Sequence, residues 1–298
     1  MSIVIPVRNG EKFITDAVVS ALNQGADLRE VIVVDDHSTD QTRDVLNSIE
    51  DDRLKIVSND GAGVSAARNT GARIAAGDWL LFLDGDDRLC NGAIRKLSAL
   101  AGSAPEAVVI YGDFDRIDEK GKSTGIRRFY RRIQPSGWIL ERMLMRFLLG
   151  NGGTSIVGAK AFRRAGGFNE GLRFCEDWHL WCLLSAIGPF RFAPGTRVLE
   201  YRLHLSNTMN GTFRHYEEFI PAIDAVFSDA LIARRLTEDK RKRLRAAAET
   251  HMMGYSGMLA ARAGNYRQAA SYAWMAAKHS PRASPRALAR ILLAGLWK

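Results

Sequence analysis

Apolar runs alternate with amphipathic segments along the first third of the chain. The strand-like runs are SIVIPV (2–7), EVIVVDD (30–36), LKIVSND (54–60) and DWLLFLDGDD (78–87). The segments between them have helical spacing: GEKFITDAVVSALNQ (10–24), STDQTRDVLNSIE (38–50) and GAGVSAARNTGARIAAG (61–77). Ser38 or Thr39 is predicted to cap the second helix. This alternation predicts an α/β fold with a mostly parallel sheet that carries helices on both faces.

The pattern changes further along the chain. It predicts a strand at 107–115, a hairpin or mobile loop at 118–132, a helix at 136–150 and a short strand at 150–158. A helix then begins near Cys175, and the last strand signal is RFAPGTRVLEYRLH (191–204). Four or five helices are predicted over 213–296. We therefore predict an α/β domain at 1–212 and a helical C-terminal region at 213–298.

Composition is that of an ordinary globular protein. The 298 residues are 46% hydrophobic and 25% charged, which suits one large domain with an appendage or two domains. No apolar run approaches the ~20 residues that span a bilayer, and no basic leader precedes SIVIPV. Cys90, Cys175 and Cys182 lack CxxC spacing, which is typical of reduced thiols. We expect a cytoplasmic protein without a signal peptide.

The net charge of +9 is concentrated near the C-terminus. Residues 231–298 hold 14 Lys/Arg and 3 Asp/Glu, which leaves a net charge of −2 for residues 1–230. Such asymmetry favours an anionic surface as partner, either a membrane or a nucleic acid, or else marks a solvated helical face.

Carboxylates cluster where two predicted strands end. Asp35 and Asp36 follow VIVV, and Asp84, Asp86 and Asp87 follow LLFL. In open parallel sheets, ligands bind beyond the carboxyl ends of the strands. Clustered carboxylates repel one another, and Mg²⁺ or Mn²⁺ relieves the repulsion by taking their oxygens together with substrate phosphates. The turn at 84–87 is therefore predicted either to hold a divalent cation and a diphosphate or to be a solvated Asp-rich turn.

Six segments in fixed order resemble the family 2 glycosyltransferases of GT-A fold. They are SIVIPVRNGEKFITDAVVSALNQ, VIVVDDHSTDQT, GVSAARNTGA, WLLFLDGDD, RRAGGFNEGLRFCEDWHLW and YRLHLSNTM, and they run from residue 2 to about residue 210. The resemblance implies a Rossmann-like GT-A domain that transfers a sugar, with inversion, from a nucleotide-diphosphate donor to a hydroxyl acceptor. It implies bacterial polysaccharide or glycolipid synthesis, with a saccharide or lipid-linked acceptor and no nucleic acid.

The resemblance assigns nucleotide contacts to Pro6, Arg8, Asp36, Arg68 and Asp84. Asp36 matches a family residue that contacts the base, and an ionised carboxylate suits uracil because uracil N3–H is a donor. A UDP-sugar is therefore the expected donor. Arg8 replaces the tyrosine of the usual PVYN, and a guanidinium can also stack on a base. The alternatives are a helix cap for Asp36 and a surface helix residue for Arg68.

The resemblance also implies a metal site and a catalytic base. Asp84 and Asp86 match the DxD motif, with Asp86 or its neighbour Asp87 as direct ligand of Mn²⁺ or Mg²⁺. His204 matches a histidine that completes the metal or phosphate site. Asp177 matches the base that removes the acceptor proton, a role worth on the order of 10²–10⁴-fold. Glu176 and Trp178 are expected to contact the acceptor or support the base.

A structural alternative exists for the two carboxylates at 176–177, because both favour a helix N-terminus electrostatically.

Two other classes of protein share part of this pattern. A phospho-receiver domain also carries an acidic pair after a strand, but there the pair follows the first strand, and here another strand precedes VIVVDDH. A nucleotidyltransferase also uses a nucleotide-binding sheet and a metal, but its Gly-rich basic loop is poorly matched by RNGEKF. Detection of UDP, pyrophosphate or phospho-aspartate as product separates the three.

The C-terminal segment RALARILLAGLWK predicts an amphipathic helix. Leu288, Ile291, Leu292 and Leu296 are predicted to share one face, with Arg286, Arg290 and Lys298 near its edges. Such a helix suits peripheral binding to an anionic membrane. The alternative is that these leucines pack on the neighbouring helix at 265–279.

Overall fold

The computed structural model describes residues 1–125, 134–149, 152–204, 215–280 and 284–296. Residues 126–132 of the predicted loop at 118–132, and all of residues 205–214, therefore lie outside the described residues. The chain forms two compact units: the first comprises 1–139, 149–171 and 187–204, and the second comprises 140–148, 172–186 and 205–298. Each unit draws on separate stretches of chain, an arrangement that the sequence pattern does not reveal.

The first unit is built on one mixed sheet. Its strands are β1 (Ser2–Val7), β2 (Glu30–Asp35), β3 (Leu54–Ser58), β4 (Trp79–Phe82), β5 (Arg88–Leu89), β6 (Val109–Ile117), β7 (Ser155–Gly158) and β8 (Phe190–Arg202). Their order across the sheet is β3-β2-β1-β4-β7-β6-β8-β5. The first four positions are parallel, as predicted. β7 runs antiparallel to both β4 and β6, a pairing that the alternation of strands and helices did not predict.

Twelve helices lie in the described part of the chain. Those of the first unit are α1 (Ile14–Leu22), α2 (Thr42–Asn47), α3 (Val64–Ile74), α4 (Ala93–Ser103) and α6 (Ala159–Ala165). Those of the second unit are α5 (Leu140–Met145), α7 (Glu176–Ile187), α8 (Ile220–Ser228), α9 (Ala230–Ala233), α10 (Glu238–Arg262), α11 (Tyr266–His279) and α12 (Ser284–Leu296). The predicted helical C-terminal region is confirmed.

Burial explains the apolar runs. Every residue of β1 and β2 is buried, since helices cover both faces of these strands. Helix α1 buries Ile14, Ala17, Val18, Ala21 and Leu22 at helical spacing, within the segment predicted to be helical.

The second helix differs from its prediction. It begins at Thr42 and has Gln41 as N-cap, without a side-chain cap. Ser38 and Thr39 instead bond the loop after β1: Asn9 N donates to Ser38 Oγ at 2.9 Å, and Thr39 N donates to Asn9 Oδ1 at 2.8 Å. The predicted cap is therefore wrong, because a tertiary contact uses these residues.

Helix α10 is the longest element of the second unit, and α12 packs closely against it. A Cβ added at Gly254 would lie 2.6 Å from Ala287 Cβ, and one at Gly257 would lie 2.5 Å from Ile291 Cδ1. Small residues on α10 thus set the distance between the two helices.

A substitution at Gly71 is expected to destabilise the first unit. Gly71 lies on α3, where an added Cβ would lie 2.4 Å from Val4 Cγ1 and 3.1 Å from Val34 Cγ2. Gly71→Ala must push α3 off the sheet, so the free energy of unfolding should fall by about 1–3 kcal/mol. The matched control is Gly102→Ala in α4, where an added Cβ meets nothing within 4 Å. The free energy of unfolding of that variant, measured by urea denaturation, should rise by up to about 1 kcal/mol. Equal stabilities for the two variants would contradict the close packing of α3 on the sheet.

Candidate functional site

Four parallel strands end at one edge of the sheet. Val7 pairs with Asp35, and Asp35 with Ser58, so the loops after β1, β2 and β3 emerge side by side. These loops are also bonded to one another, because His37 Nε2 lies 3.0 Å from Gly61 O in addition to the contacts of Asn9. The predicted acidic positions therefore lie along a rigid edge.

Asp36 occupies a buried pocket at this edge and is only 5% exposed. Its Oδ1 accepts a hydrogen bond from Asn59 Nδ2 at 2.7 Å, and its Oδ2 accepts one from Gly63 N at 3.0 Å. Asn59 is fixed in turn, because its Oδ1 accepts from Thr70 Oγ1 at 3.2 Å. Asp36 does not cap α2, so the alternative of a cap on that helix is wrong; the contact with Gly63, the N-cap of α3, orients the carboxylate instead.

Arg68 connects α3 to the acidic turn. Its side chain is 4% exposed and its Nη2 donates to Asp84 Oδ1 at 2.7 Å. The guanidinium lies 5.0 Å from the centre of the Phe168 ring, which favours a cation–π contact. Arg68 is therefore not a surface helix residue. Its contact with Asp84 links the acidic turn to helix α3.

The acidic turn brings three carboxylates together. One oxygen from each of Asp84, Asp86 and Asp87 lies within 4.8 Å of the others. The side chains of Asp84 and Asp86 are 34% and 32% exposed, whereas Asp87 is fully buried and its Oδ1 accepts from Arg202 N at 2.8 Å. Carboxylate oxygens this close to one another are suitable ligands for a hard divalent cation, so the predicted metal ligands fit such an ion.

His204 lies against this turn. Its Nε2 is 2.8 Å from Asp86 Oδ2 and its ring centre is 4.9 Å from that of Phe13. Burial, followed by the charge of Asp84, raises the pKa of Asp86, and His204 opposes that rise. Burial and then the charges of Asp87, Asp86 and Asp84 raise the pKa of Tyr201 to about 12. The turn is thus a site of concentrated negative charge.

Pro6 and Arg8 lie at the start of the same edge. Pro6 is buried and its carbonyl is close to Gly85, where an added Cβ would lie 3.3 Å from Pro6 O. Arg8 is exposed. Of the predicted nucleotide-side residues, Pro6 therefore lies at the end of β1, Arg8, Asp36 and Asp84 lie just after β1, β2 and β4, and Arg68 reaches the same edge from α3.

The remaining predicted residues belong to the second unit. Glu176 and Asp177 form the first turn of α7 and are half-buried. Cys175 precedes them with a φ of +63°, a conformation that is uncommon for residues other than glycine. Trp178 is 1% exposed and its Nε1 donates to Met143 O at 2.9 Å, which suits a supporting residue better than a contact with an acceptor.

Sequence reasoning missed three residues of this edge: Asn59, Phe168 and Arg202. Asn59 follows β3, and its position at a strand end is the one signal that could have identified it. Phe168 and Arg202 lie within segments that carry the family resemblance, GGFNEG and YRLH. Their contacts join residues about a hundred positions apart, which a local pattern does not reveal.

The residues of the predicted apolar face of α12 differ in burial. Ile291 is buried with Ala287, whereas Leu292 is 70% exposed and Leu293 is 55% exposed. Close contacts of Ala287 and Ile291 with glycines of α10 decide which side is buried. Within the predicted face, Ile291 therefore packs inside the second unit while Leu292 is exposed, and the membrane contact of this face stays a prediction. The side chains of Leu296 and Lys298 lie outside the described residues.

The fold and this edge define a Rossmann-like α/β domain of the GT-A type with a helical C-terminal region. Comparison with known proteins agrees with this assignment of the fold. Residues 2–172 match the model of glycosyl transferase family 2. The chain therefore belongs to this family of glycosyltransferases, which confirms the predicted family, fold class and enzyme class.

Two similar glycosyltransferases cover about two thirds to three quarters of the chain, and one solved structure of similar fold covers nearly all of it. An uncharacterized glycosyltransferase of Rickettsia felis is 30% identical over 227 residues, which are 73% of this chain and 36% of that protein. Chondroitin synthase of Escherichia coli is 30% identical over 203 residues, which are 64% of this chain and 27% of that protein. The chain thus spans about a third of the length of these two relatives. The crystal structure of S. aureus TarS 1–349 in complex with UDP-GlcNAc superposes with a TM-score of 0.71 at 18% identity, over 99% of this chain and 88% of that one.

Within the described ranges, no helix is both long enough and apolar enough to cross a membrane.

Proposed function

We propose that the chain transfers a sugar from a UDP-sugar to a hydroxyl acceptor, with inversion, and that Mn²⁺ or Mg²⁺ serves at the acidic turn. One observation carries the proposal: helix α3 joins the Asp36 pocket to the carboxylate cluster. Gly63 at its N-cap contacts Asp36, and Arg68 in its second turn contacts Asp84. A nucleotide that spans this edge meets an acceptor for its base at one end and a cation site for its diphosphate at the other.

The choice of uridine rests on the fixed orientation of Asp36. Asn59 and Gly63 both donate to its carboxylate and so hold it in one orientation. A charged carboxylate accepts a hydrogen bond from uracil N3–H, whereas cytosine presents an acceptor at N3. S. aureus TarS 1–349 was crystallised in complex with UDP-GlcNAc, which supports a uridine donor by analogy of fold.

The metal would be held by Asp86 and Asp84, with Asp87 beneath them and His204 beside them. Asp86 is the better direct ligand because its side chain is one-third exposed, whereas Asp87 is fully buried and bonds the main chain of Arg202. When bound, a divalent cation neutralises the charge that develops on the diphosphate as the sugar departs. Arg68 holds Asp84 in place, and His204 does the same for Asp86.

Asp177 is proposed as the base that removes the proton of the acceptor hydroxyl. Its place in the first turn of α7 favours the ionised carboxylate, because the positive end of the helix dipole lies there. Trp178, bonded to Met143, anchors that turn in the core of the second unit. A single displacement assisted by one base gives inversion at the anomeric carbon.

Product analysis tests this function. The purified chain is incubated with Mn²⁺ and a panel of UDP-sugars, CDP-sugars and GDP-sugars, and nucleotide products are separated by chromatography. Release of UDP, with no pyrophosphate and no phospho-aspartate, is expected. Release of pyrophosphate would support a nucleotidyltransferase, and equal turnover of CDP-sugars would contradict the role of Asp36.

The acceptor is proposed to be lipid-linked, with the C-terminal helices bound to an anionic leaflet. Exposed apolar side chains lie on α11 and α12: Tyr266 at 55%, Trp274 at 60%, Leu292 at 70% and Leu293 at 55%. No Asp or Glu follows Glu249, whereas seven Lys/Arg do. Aromatic and leucine side chains among cations suit a membrane interface.

Surface substitutions test the membrane contact better than deletion of 283–298, because deletion would also remove Ala287 and Ile291 from the packing with α10. The full chain is expected to float with anionic liposomes at low salt. At high salt the charges are screened, and we expect flotation to be lost. The double substitution Leu292→Ser and Leu293→Ser should abolish flotation. Val19→Ser removes an apolar side chain that is 42% exposed on α1 and should leave flotation unchanged. A full chain that does not float at low salt would contradict the contact.

A further inference from the structure

A buried arginine lies directly behind the acidic turn. Arg202 ends β8, and its side chain is 1% exposed. Its Nε donates to Asp86 O at 2.8 Å, its Nη1 to Glu119 O at 2.9 Å and its Nη2 to Asp16 Oδ2 at 2.7 Å. Its main-chain N donates to Asp87 Oδ1 at 2.8 Å. One residue therefore connects the turn to α1 and to the segment after β6.

Aromatic packing extends this arrangement to His204. The guanidinium of Arg202 lies 4.8 Å from the centre of the Phe13 ring, and the same ring lies 4.9 Å from that of His204. His204 in turn contacts Asp86. Arg202 thus reaches the turn by two routes, directly through its hydrogen bonds and indirectly through Phe13 and His204.

The chemistry of the contacts requires arginine. Burial of a charge is costly unless every donor has a partner. The hydrogen bonds to Asp86, Glu119 and Asp16 lead to three different segments, and the planar guanidinium can point at all three at once. A lysine carries the same charge at a single nitrogen, so it cannot replace the Nε contact with Asp86 and the Nη contacts together.

We propose that Arg202 is a positioning residue: it holds Asp86 and Asp87 in the arrangement that binds the divalent cation, without contacting the cation or the donor. The inference rests on the proposed function, since it assumes a cation at the acidic turn. Supporting residues behind metal ligands typically change metal affinity by about 10–100-fold when they are replaced. A purely structural role predicts lower stability with unchanged metal affinity in the folded protein.

The test measures Mn²⁺ binding to the full chain. The electron paramagnetic resonance signal of free Mn²⁺ reports how much of the ion remains unbound. Arg202→Lys is expected to raise the Mn²⁺ dissociation constant about tenfold or more, and to raise the KM for the donor at fixed Mn²⁺. Saturating Mn²⁺ should restore most of kcat, a rescue that a merely unstable variant does not show. Arg197→Lys is the control, because Arg197 lies on the same strand but pairs with Asp115 on an exposed surface.

The outcomes separate the inference from the function. If the wild-type chain binds Mn²⁺ and folded Arg202→Lys binds it within about twofold, the positioning role is overturned and the proposed function stands. If the wild-type chain binds no Mn²⁺, the metal part of the function fails, and the inference fails with it. If Arg202→Lys does not fold, Asp16→Asn replaces it: loss of this partner should weaken Mn²⁺ binding by about threefold, and unchanged binding overturns the proposal.

Discussion

Replacement of Asp86 with asparagine is expected to abolish sugar transfer while the fold remains intact. The side chain is one-third exposed, and its pKa is raised by burial and by Asp84, so loss of its charge relieves repulsion within the turn. The same change removes an anionic oxygen from the proposed cation site. We expect turnover below about a hundredth of the wild-type rate, with an unfolding midpoint at or above that of the wild-type chain.

The control for Asp86→Asn is Asp113→Asn. Asp113 on β6 is a half-buried carboxylate whose pKa is raised by burial and by Asp115, and it lies outside the acidic turn. The control should retain its turnover. Wild-type protein that has been treated with EDTA and still works at full speed would show that the metal assignment is wrong.

Replacement of Asp177 with asparagine is expected to lower the transfer rate by about a hundredfold or more, with nucleotide binding preserved. Asparagine has nearly the same shape but cannot remove the acceptor proton. The change therefore acts on the chemical step, and kcat should fall while the dissociation constant of UDP is unchanged. Rates are measured with saturating donor and acceptor, and UDP binding is measured by calorimetry.

Helix electrostatics provides the alternative account of Asp177. Asp239 occupies the first turn of α10, so Asp239→Asn removes the same favourable interaction with a helix N-terminus. If the role of Asp177 is catalytic, Asp239→Asn has little effect on kcat. Parallel loss of UDP affinity and activity in Asp177→Asn would instead make this residue part of the donor site or of the fold.

The local sequence pattern was sufficient to predict the helices and strands that have strong periodicity. β1 and β2 are continuous apolar runs because both faces are covered, and α1 shows its buried stripe at helical spacing. Two helices of the first unit were not predicted. Helix α4 follows a left-handed Gly92 instead of a side-chain cap, and α6 has only seven residues, so neither has a strong start signal.

The residues of the site also differ in whether local sequence could identify them. Asp84, Asp86 and Asp87 are close together in sequence, so a strand followed by carboxylates was enough to locate the turn. Arg202 lies 116 positions from Asp86, and Asn59 lies 23 positions from Asp36. Contacts of this range depend on which strands are neighbours, and strand order is a property of the whole sheet.

The division into two units also follows from long-range packing. Trp178 bonds Met143 across 35 positions, which joins α7 to the region of α5 within the second unit. Periodicity identifies each helix but not its partner, so the sequence predicted the helices without assigning them to a common unit.

Calorimetric titration of UDP into the wild-type chain, with and without Mn²⁺, tests the central claim that this sheet edge binds a nucleotide diphosphate through a divalent cation. We expect Mn²⁺ to tighten UDP binding by about tenfold or more, a gain of about 1.4 kcal/mol or more. Equal UDP affinity in Mn²⁺ and in EDTA would contradict the claim.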